Sequence, residues 1–170
     1  MAKNIPDKIN DFNVYDDGDR LIGIGEEVSL PDIEMMSESV MVPGGEVDSP
    51  TIGQFASGQV EIPFHSLTKD VFNMLNPLRS VNITLRASQQ EMNGDGDIVF
   101  TGIRAVFRGR PKVLTPGSIK KGSGTGTSIS LEWTYYLLEI DGKKVVEIDK
   151  LNSVFKINGT DILAQTKRLC

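Results

Sequence analysis

The sequence contains one histidine and one cysteine, side chains that often act as catalytic bases, nucleophiles and metal ligands. A Ser-His-Asp site needs its histidine beside a nucleophile motif, and the stretch Pro63–Ser66 around His65 holds none. Metal sites need several such ligands. We therefore interpret His65 as a polar residue at a corner between a strand and a helix. The lone Cys170 cannot form an internal disulfide, which predicts maturation in a reducing compartment, the cytoplasm.

The acidic stretch Asn93-Gly94-Asp95-Gly96-Asp97 has the residue types of a calcium-binding loop. An EF-hand loop needs glycine at its sixth position and glutamate at its twelfth. Counted from Asn93, those positions hold Ile98 and Arg104, so the motif fails at both. Asn, Asp and Gly in this order are typical of a solvated hairpin turn, which is our prediction for the segment.

Two glycine-rich stretches have part of the pattern of a nucleotide site. A P-loop needs Lys and Ser/Thr after its last glycine, whereas Thr127-Ser128 follows residues 122–126. Gly23-Ile24-Gly25 lacks the third glycine of a dinucleotide motif and indicates a bend in a strand-like run. The carboxylate pairs Glu26-Glu27 and Asp16-Asp17 are interpreted as solvated. We therefore predict a protein that is not an enzyme and has no cofactor or metal.

Composition describes a globular chain of one domain, residues 1–170. The chain is 39% hydrophobic and 24% charged, and 170 residues can bury a core without disulfides or metals. It contains neither an apolar stretch long enough to span a membrane nor an N-terminal secretory signal. Its net charge of −5 disfavours tight nucleic-acid binding, since phosphate-binding proteins are usually basic. A conduit that lets nucleic acid pass without binding it remains compatible with this charge.

Strict alternation of apolar and polar residues dominates the pattern and predicts half-buried strands. In one segment Ile129, Leu131, Trp133 and Tyr135 fall on one face. The same alternation occurs in three further segments, at 60–64, 81–88 and 99–107. Turn residues separate the strands at 16–19, 93–97 and 141–142, the last with the Asp-Gly of a type I′ hairpin. Such short connections predict antiparallel pairing.

One helix is predicted at about 66–76, with apolar residues at helical spacing. Ser66 precedes it as N-cap candidate and Asn76-Pro77 ends it. A short second helix is compatible with residues 161–168. The predicted fold is mainly β: an antiparallel β-sandwich or barrel of two packed sheets with one flanking α-helix, about 66–76.

Two features suggest contacts with partners. Residues 41–54 are rich in Gly and Pro at their start and are predicted as a long loop, and long loops in compact domains tend to be functional. A second loop is predicted at 115–127. The strand at 129–140 becomes apolar on both faces from Tyr136 onward. Such a strand is either central in the core or covered from outside by a neighbouring subunit.

The order of segments resembles the major tail tube proteins of contractile-tail bacteriophages and R-type bacteriocins. The resemblance covers nearly the whole chain and is most specific in the C-terminal block, Leu131–Gly159, which reads YY-x-LEIDGK, then EID-x-LN, then NG. The following segments carry the rest: Asn13–Tyr15 with Gly18, Leu21–Gly23, Glu27–Pro31, Met41–Pro50, Arg108–Lys112 and Pro116–Gly117.

This resemblance implies a structural tail tube subunit. It implies hexameric rings that stack into the inner tube of a contractile tail, in which the inner sheets of the subunits join into one barrel around a channel. The tube would be a conduit for DNA ejection in a phage, or an ion path through a punctured membrane in a bacteriocin. Implied partners are further copies of the chain and the sheath, tape-measure, baseplate and tail terminator proteins. In a phage, DNA would be present only in transit, and the particle would have no stable membrane association. The particle, a virion or phage tail-like particle, would be assembled in the bacterial cytoplasm.

The resemblance and the pattern together predict three sets of site residues. A polar lumen without aromatic or basic clusters would let nucleic acid slide. Two polar strand faces are candidates, either Asn82, Thr84, Arg86 and Ser88 or the acidic residues, and we favour the acidic faces as lining. The predicted inter-ring loop contacts are Val42, Pro43, Gly44, Gly45, Glu46, Val47 and Asp48. The predicted subunit interface residues are Tyr136, Leu138 and Ile140. The predicted lumen residues are Glu34, Glu38 and Glu61.

Two interpretations from other classes compete with the tail tube. A type VI secretion tube protein shares the implied fold but not the LEIDGK and EID block. A monomeric β-barrel binding module would need exposed aromatic side chains for stacking, and aromatic residues make up only 6% of this chain. The choice between phage and bacteriocin depends on which face lines the lumen, and the sequence leaves it open.

Overall fold

The computed structural model describes residues 3–21 and 23–170. In this part of the chain it has eleven strands and two short helices. In chain order these are β1 (Ile5–Asp16), β2 (Asp19–Arg20), β3 (Met35–Val42), β4 (Gly45–Phe55), β5 (Gln59–Phe64), α1 (Lys69–Asn73), β6 (Val81–Met92), β7 (Ile98–Thr115), β8 (Thr127–Ile140), β9 (Lys143–Asp149), β10 (Val154–Ile157), β11 (Thr160–Asp161) and α2 (Ala164–Leu169).

The strands pair antiparallel throughout, which confirms the predicted mainly β class. A nine-stranded sheet has the order β11-β10-β9-β8-β7-β6-β1-β2, and β5 pairs with the first half of β8. The second half of β8 pairs with β9 instead. Strands from both parts of this sheet contribute side chains to one apolar core. No barrel closes among the described residues, and β3 and β4 form a separate two-stranded sheet.

Aromatic side chains fill the centre of the core. Phe107 and Tyr136 are paired across β7 and β8, and their rings stack with centroids 5.0 Å apart. Trp133 meets Tyr136 edge-on at 5.9 Å. Ile62 from β5 and Met74 from the end of α1 are almost fully buried in the same cluster. Burial of these apolar side chains makes the largest favourable contribution to the stability of the subunit.

A β-bulge at Thr134 bends the long β7–β8 pair. Trp133 is opposite Gly109 and Tyr135 is opposite Arg108, so Thr134 is the extra residue. A side chain at Gly109 would place its Cβ 2.4 Å from the Glu132 carbonyl oxygen, which shows how closely the strands approach beside the bulge. Bulges bend a strand and shift its side chains by one position.

The bulge explains why β8 is apolar on both faces and corrects one prediction. Tyr135 was expected to share the core face with Ile129, Leu131 and Trp133. The extra residue instead turns Tyr136 into the core, where it is 3% exposed, and turns Tyr135 to the opposite face. Period-two reasoning fails at this point because the alternation restarts after the bulge.

The segment 41–54, predicted as a loop, is mostly a β-hairpin. β3 ends at Val42 and β4 begins at Gly45, so only Pro43 and Gly44 form the turn. The Pro-Gly signal therefore marks a turn between two strands, and β-branched residues on either side favour extended backbone. Pro50 is tolerated inside β4 because this strand has a partner on one side only.

The helices are shorter than expected. α1 covers Lys69–Asn73 rather than about 66–76, and its N-cap residue is Thr68 rather than Ser66. Val71 and Met74 are buried, whereas the exposed Leu67 adds little to the predicted apolar stripe. α2 is present in the segment in which a short second helix was considered.

Residues 21–30, predicted as strand-like, are irregular where they are described. Ile24 forms one isolated bridge with Phe64, and Gly23 has a positive φ of 79°, which fits the bend predicted from its glycines. Ile22, part of the same prediction, lies outside the described residues. The predicted hairpin turns at Asn93–Asp97 and Asp141–Gly142 are confirmed, and both residues of the second have the positive φ of a type I′ turn.

Asp149 ends β9 and organises the turn into β10. Its carboxylate accepts hydrogen bonds from the backbone N–H groups of Leu151 and Asn152, at 3.0 and 3.1 Å, and from the Asn152 amide at 2.7 Å. Partial burial opposes ionisation, but these bonds and the charge of Arg108 outweigh it and hold the pKa of Asp149 below its usual value. The EID-x-LN motif is thus a structural turn.

We predict that Gly109→Ala destabilises the subunit by about 2 kcal/mol, because the added methyl group meets the backbone of β8. The measurement is urea unfolding followed by fluorescence of Trp133, the single tryptophan. Gly102→Ala in the same strand is the matched control, since a Cβ there meets nothing within 4 Å. Equal midpoints for both variants would contradict the close approach at the bulge.

We predict that Asp149→Ala costs about 1 kcal/mol near neutral pH. A carboxylate with a lowered folded-state pKa stabilises the fold above its unfolded pKa, and loses that contribution as pH falls through the folded value. The difference in Tm between wild type and variant should therefore be constant above about pH 5 and shrink below about pH 4. Asp95→Ala, in the exposed β6–β7 turn, is the control. A difference independent of pH would show that the charge of Asp149 is not involved.

Candidate assembly surfaces

His65 and the glycine-rich segment 122–126, which were considered as parts of functional motifs, make contacts that maintain the fold. His65 lies at the corner between β5 and α1, as predicted, and its side chain is exposed. Its backbone N–H donates to the Gly23 carbonyl at 2.7 Å, and its carbonyl accepts from the Thr125 N–H at 3.0 Å. This second bond holds the glycine-rich 122–126 segment against the body. Among the described residues, no three His, Cys, Asp or Glu side chains come together as a metal site.

An open groove lies between the inner side of β1 and the irregular segment 23–30. Its volume is about 830 Å³, and its lining includes Phe12, Leu85 and Val28. Glu26 and Glu27, expected on a solvated face, border this groove while remaining exposed. The groove therefore brings together apolar surface and carboxylates, without a histidine or cysteine beside them.

The β3–β4 hairpin extends from the body as an arm, residues 36–52. Every residue of the arm is exposed, so neither of its faces packs on the subunit. Its base is anchored: Met35 and Phe55 pack on the core, and Phe55 meets Phe155 edge-on at 5.0 Å. Gly53 lies so close to Leu163 that a Cβ would come within 2.7 Å of its side chain. A two-stranded ribbon exposed on both faces is marginally stable in water, so contact with a partner would stabilise the arm.

The residues predicted as inter-ring contacts, Val42–Asp48, form the tip of this arm. Cross-strand pairing places Val40 and Val47 together on one face and Met41 beside Glu46 on the other. Asp48 shares this second face and accepts a hydrogen bond from the Ser39 hydroxyl at 3.0 Å. Met41 is 77% exposed. The structure thus brings the predicted contact residues together, as a strand-turn-strand rather than as a loop.

The three predicted subunit interface residues on β8 differ in how far their own subunit buries them. Tyr136 is covered by its own subunit in the core, which corrects its assignment to an outer surface. Leu138 is partly buried against the same core. Ile140, at the end of the strand, is 37% exposed and is the member that retains surface for a partner.

The three predicted lumen residues are exposed but lie in different elements. Glu34 precedes β3, and its carbonyl accepts a hydrogen bond from the Ala56 N–H at 2.9 Å. Glu38 lies on the arm opposite Ser49. Glu61 lies on β5 opposite Ser130, in the larger sheet. Two of them therefore lie on two different sheets and Glu34 lies on neither, and their common exposure to a channel stays a prediction.

The outer edge of β1 is a surface that the sequence interpretation missed. β1 pairs with β6 from Ile5 to Asp16, but on its other side only Tyr15 and Asp16 pair, with β2. Among the described residues no strand covers the edge at 5–14. Two irregularities in the pairing of β1 with β6 interrupt its alternation, and the sequence analysis predicted no strand at residues 5–11. Such an edge is a template for pairing with another chain.

The outer face of the main sheet, the face turned away from the core, carries an arginine group, of which the sequence analysis named only Arg86, as part of a candidate lumen face. We call Arg86, Arg104 and Arg108 the arginine face. Arg108 lies 4.1 Å from the centre of the Tyr135 ring, and Arg104 pairs with Glu139 at 2.8 Å. The strand alternation identified these residues as polar positions, but it could not show that they lie side by side on two neighbouring strands.

Two pKa shifts report on how this part of the molecule is packed. Partial burial and the neighbouring Glu147 carboxylate raise the pKa of Tyr135, although Arg108 opposes this. Burial lowers the pKa of Lys150, whose ammonium lies 3.7 Å from the centre of the Trp133 ring and donates to the Ala56 carbonyl. Lys150 thus joins the turn after β9 to the chain that leaves the arm.

Comparison with known proteins identifies the family. A family model described as phage tail tube protein FII matches residues 6–169. The tail tube protein of Escherichia phage P2 is 30% identical over 168 residues, which cover 96% of each chain. The major tail tube protein of Serratia phage KSP20 is 38% identical over 56 residues, which cover 33% of each. No helix of the described residues is long and apolar enough to span a membrane. Since the first two matches extend over nearly the whole sequence, the chain belongs to the phage tail tube protein FII family.

Proposed function

We propose that this chain is the subunit of the inner tube of a contractile tail, in which hexameric rings stack. The single observation that carries this proposal is the arm at residues 36–52, which extends from the body with both faces exposed. A segment of this kind gains stability only when a partner buries it. In a polymer of identical subunits the partner is available at every position.

The arm is suited to a contact between rings. Its base is anchored on the core, whereas its tip at Val42–Asp48 is exposed and free to contact a neighbour. A contact between two different surfaces of identical copies can repeat without limit along an axis. The tip contacting the adjacent ring would therefore propagate the tube.

The free edge of β1 is suited to the contact within a ring. Its backbone donors and acceptors could pair with a strand of the neighbouring subunit, so that the sheets of one ring form a continuous barrel around a channel. Ring closure would then remove the edge from solvent. Ile140, which is partly exposed at the end of β8, is proposed to be covered by a neighbouring subunit of the ring.

The channel would let its cargo pass without binding it. Acidic side chains at Glu34, Glu38 and Glu61 are proposed as its lining, since they repel phosphate and offer no stacking surface. In a phage the cargo is DNA in transit. In an R-type bacteriocin the same tube would open an ion path through a membrane.

Further partners follow from the place of a tube in a tail. The outer surface would contact the sheath protein, the channel would hold the tape-measure protein during assembly, and the two ends would meet the baseplate and tail terminator proteins. The tube would be assembled in the bacterial cytoplasm and would function in the virion or tail-like particle.

Electron microscopy of the purified protein at increasing concentration tests the proposal directly. Negative-stain images should show rings with sixfold symmetry, tubes, or both, as concentration rises. A protein that remains monomeric at every concentration, with and without baseplate proteins from its own gene cluster, would contradict it.

We predict that Val40→Thr combined with Val47→Thr impairs stacking. The pair is solvent-exposed in the subunit, and threonine keeps the β-branched shape, so the fold should be unchanged. Loss of apolar burial at repeated contacts should raise the concentration needed for tubes at least about tenfold. Sedimentation and negative-stain microscopy give the measurement.

Leu78→Thr is the matched control for this variant. Leu78 is 91% exposed and lies in the connection between α1 and β6, away from the arm in the chain. It should assemble as the wild type does. If the Val40 and Val47 variant also assembled at the wild-type concentration, the face of the arm that carries these two valines would have no role in stacking.

A further inference from the structure

The core-facing side of the main sheet is fully covered by its own subunit at only one end of the strands. On β6, Val81, Ile83 and Leu85 face the core and are buried, whereas Ala87, nearer the β6–β7 turn, is half-buried. Ile103 on β7 pairs with Ala87 and is likewise half-buried. The groove of about 830 Å³ begins at this boundary, so its apolar floor is an exposed continuation of the core.

The rim of the groove is acidic. Its lining includes three carboxylates, Asp11, Glu26 and Glu27, and one cation, Arg20. Glu26 and Glu27 are exposed, and no Lys or Arg of the described residues lies within salt-bridge distance of either. Such a groove favours a partner that presents an apolar side chain beside cations. The arm does not fit, since residues 36–52 contain carboxylates and neither Lys nor Arg.

The connection between β7 and β8 presents the groups that fit. We call residues 118–124 of this connection the knob, and every residue of the knob is exposed. Ile119 is 94% exposed, and Lys120 and Lys121 follow it directly. Within the described part of the chain, no carboxylate lies within salt-bridge distance of these two lysines. The knob therefore combines an uncovered apolar side chain with two unpaired cations, which a partner surface could bury and pair.

A tight neck fixes the position of the knob. The Ser118 N–H donates to the Thr125 carbonyl at 2.9 Å, and the buried Thr127 hydroxyl donates to the Pro116 carbonyl at 2.8 Å. Gly117 has a positive φ of 83°, and a Cβ placed on it would collide with the Thr125 carbonyl oxygen, so the two sides of the neck touch. A segment held in this way loses little conformational freedom when it docks.

The knob and the groove lie towards opposite ends of the strands. The knob lies between the end of β7 at Thr115 and the start of β8 at Thr127. The groove begins where burial along β6 declines towards the β6–β7 turn at residues 93–97. Copies arranged head to tail along the strands would therefore bring the knob of each copy to the groove of the next. In a closed barrel the strands are tilted by about 35–45° from the axis, so their two ends face the adjacent rings.

We propose that the knob of one subunit docks in the groove of a subunit in the adjacent ring, with Ile119 on the apolar floor and Lys120 and Lys121 beside Glu26 and Glu27. This inference rests on the proposed tube and gives its rings a second contact besides the arm. The basic knob and the acidic groove are different surfaces, so the contact is heterologous and repeats along the tube. Their opposite charges orient the docking and disfavour contacts between two knobs.

Truncation of the apolar side chain is the first test. Ile119→Ser should leave the fold unchanged, because the side chain contacts almost nothing in the subunit, and should raise the concentration needed for tubes at least about tenfold. The matched control is Leu151→Ser, at a side chain that is 77% exposed in the turn between β9 and β10. It should assemble as the wild type does. Assembly of Ile119→Ser at the wild-type concentration would overturn the inference.

Charge exchange identifies the two partner surfaces. Lys120→Glu with Lys121→Glu should raise the concentration needed for tubes at least about tenfold, because like charges then meet at the rim. Glu26→Lys with Glu27→Lys should have the same effect. The protein with all four substitutions should recover most of its assembly, since the charges are exchanged between the knob and the groove. An exchange that restores nothing would overturn the pairing.

A control for general charge effects uses exposed cations outside both surfaces. Arg79→Glu with Lys143→Glu changes the net charge as much as the double substitution in the knob does. This control should assemble normally. Equal impairment of both double variants would show that net charge, and not docking of the knob, limits assembly.

Cross-linking distinguishes failure of this inference from failure of the proposed tube. In a Cys170→Ser background, Ile119→Cys and Leu30→Cys variants are mixed and oxidised, and disulfide-linked dimers are measured on nonreducing gels. Leu30 lines the groove and is 46% exposed, so the new thiol is accessible. The mixture should yield dimers that neither variant forms alone.

Leu169→Cys tests a rival occupant, because Leu169 is 82% exposed and follows Lys167 and Arg168. Mixed with Leu30→Cys it should yield no dimers, and dimers from this pair instead of the Ile119 pair would overturn the choice of the knob. Tubes in the wild type without the Ile119–Leu30 cross-link would overturn docking in the groove and leave the tube intact. The cross-link without tubes would support docking and contradict the tube.

Discussion

The close pairing of β7 with β8 around the bulge at Thr134 is the constraint on which the rest of the fold depends. These two strands are neighbours near the middle of the nine-stranded sheet, and their register shifts at the bulge. Gly109 permits the close approach, and the extra residue turns Tyr136 inward against Phe107. One inserted residue thereby determines which side chains fill the core and which form the outer face with Arg108 and Tyr135.

Local sequence patterns predicted much of this architecture. The predictions that failed concern features that depend on pairing between residues distant in sequence. Alternation identified β5, β6, β7 and β8, and the Asp-Gly turn at 141–142 predicted its hairpin, because both depend on neighbours in sequence. The bulge could not be predicted, since it depends on the register between Trp133 and Gly109. The arm was taken for a loop because Pro43-Gly44 was given more weight than the strand-forming residues around it.

The candidate surfaces were predictable to a lesser extent. The contact segment Val42–Asp48 was predicted from its Gly- and Pro-rich composition, and in the structure it forms the tip of an arm. The outer-face partners Arg86 and Arg104 are 18 residues apart and become neighbours only through β6–β7 pairing. Family resemblance gave the tail tube, but a resemblance in sequence order does not say which surface receives the arm. That question depends on three-dimensional charge and shape.

The subunit combines a well-packed body with an arm that has no core of its own, and this division has a consequence for assembly. A body stable without its neighbours lets subunits accumulate as soluble protein, while an exposed arm supplies apolar area that is buried only on contact. In the proposed tube, the carboxylates within the arm would disfavour contacts between arms, since like charges repel. The rest of the chain, which has more Lys and Arg than Asp and Glu, would attract an acidic arm of another copy in the proposed tube. Salt should weaken such steering more than it weakens the apolar contact, because screening acts on exposed charges and leaves burial intact. A tube assembled this way would form most readily at low ionic strength, and once formed would be maintained mainly by the apolar surface it has buried.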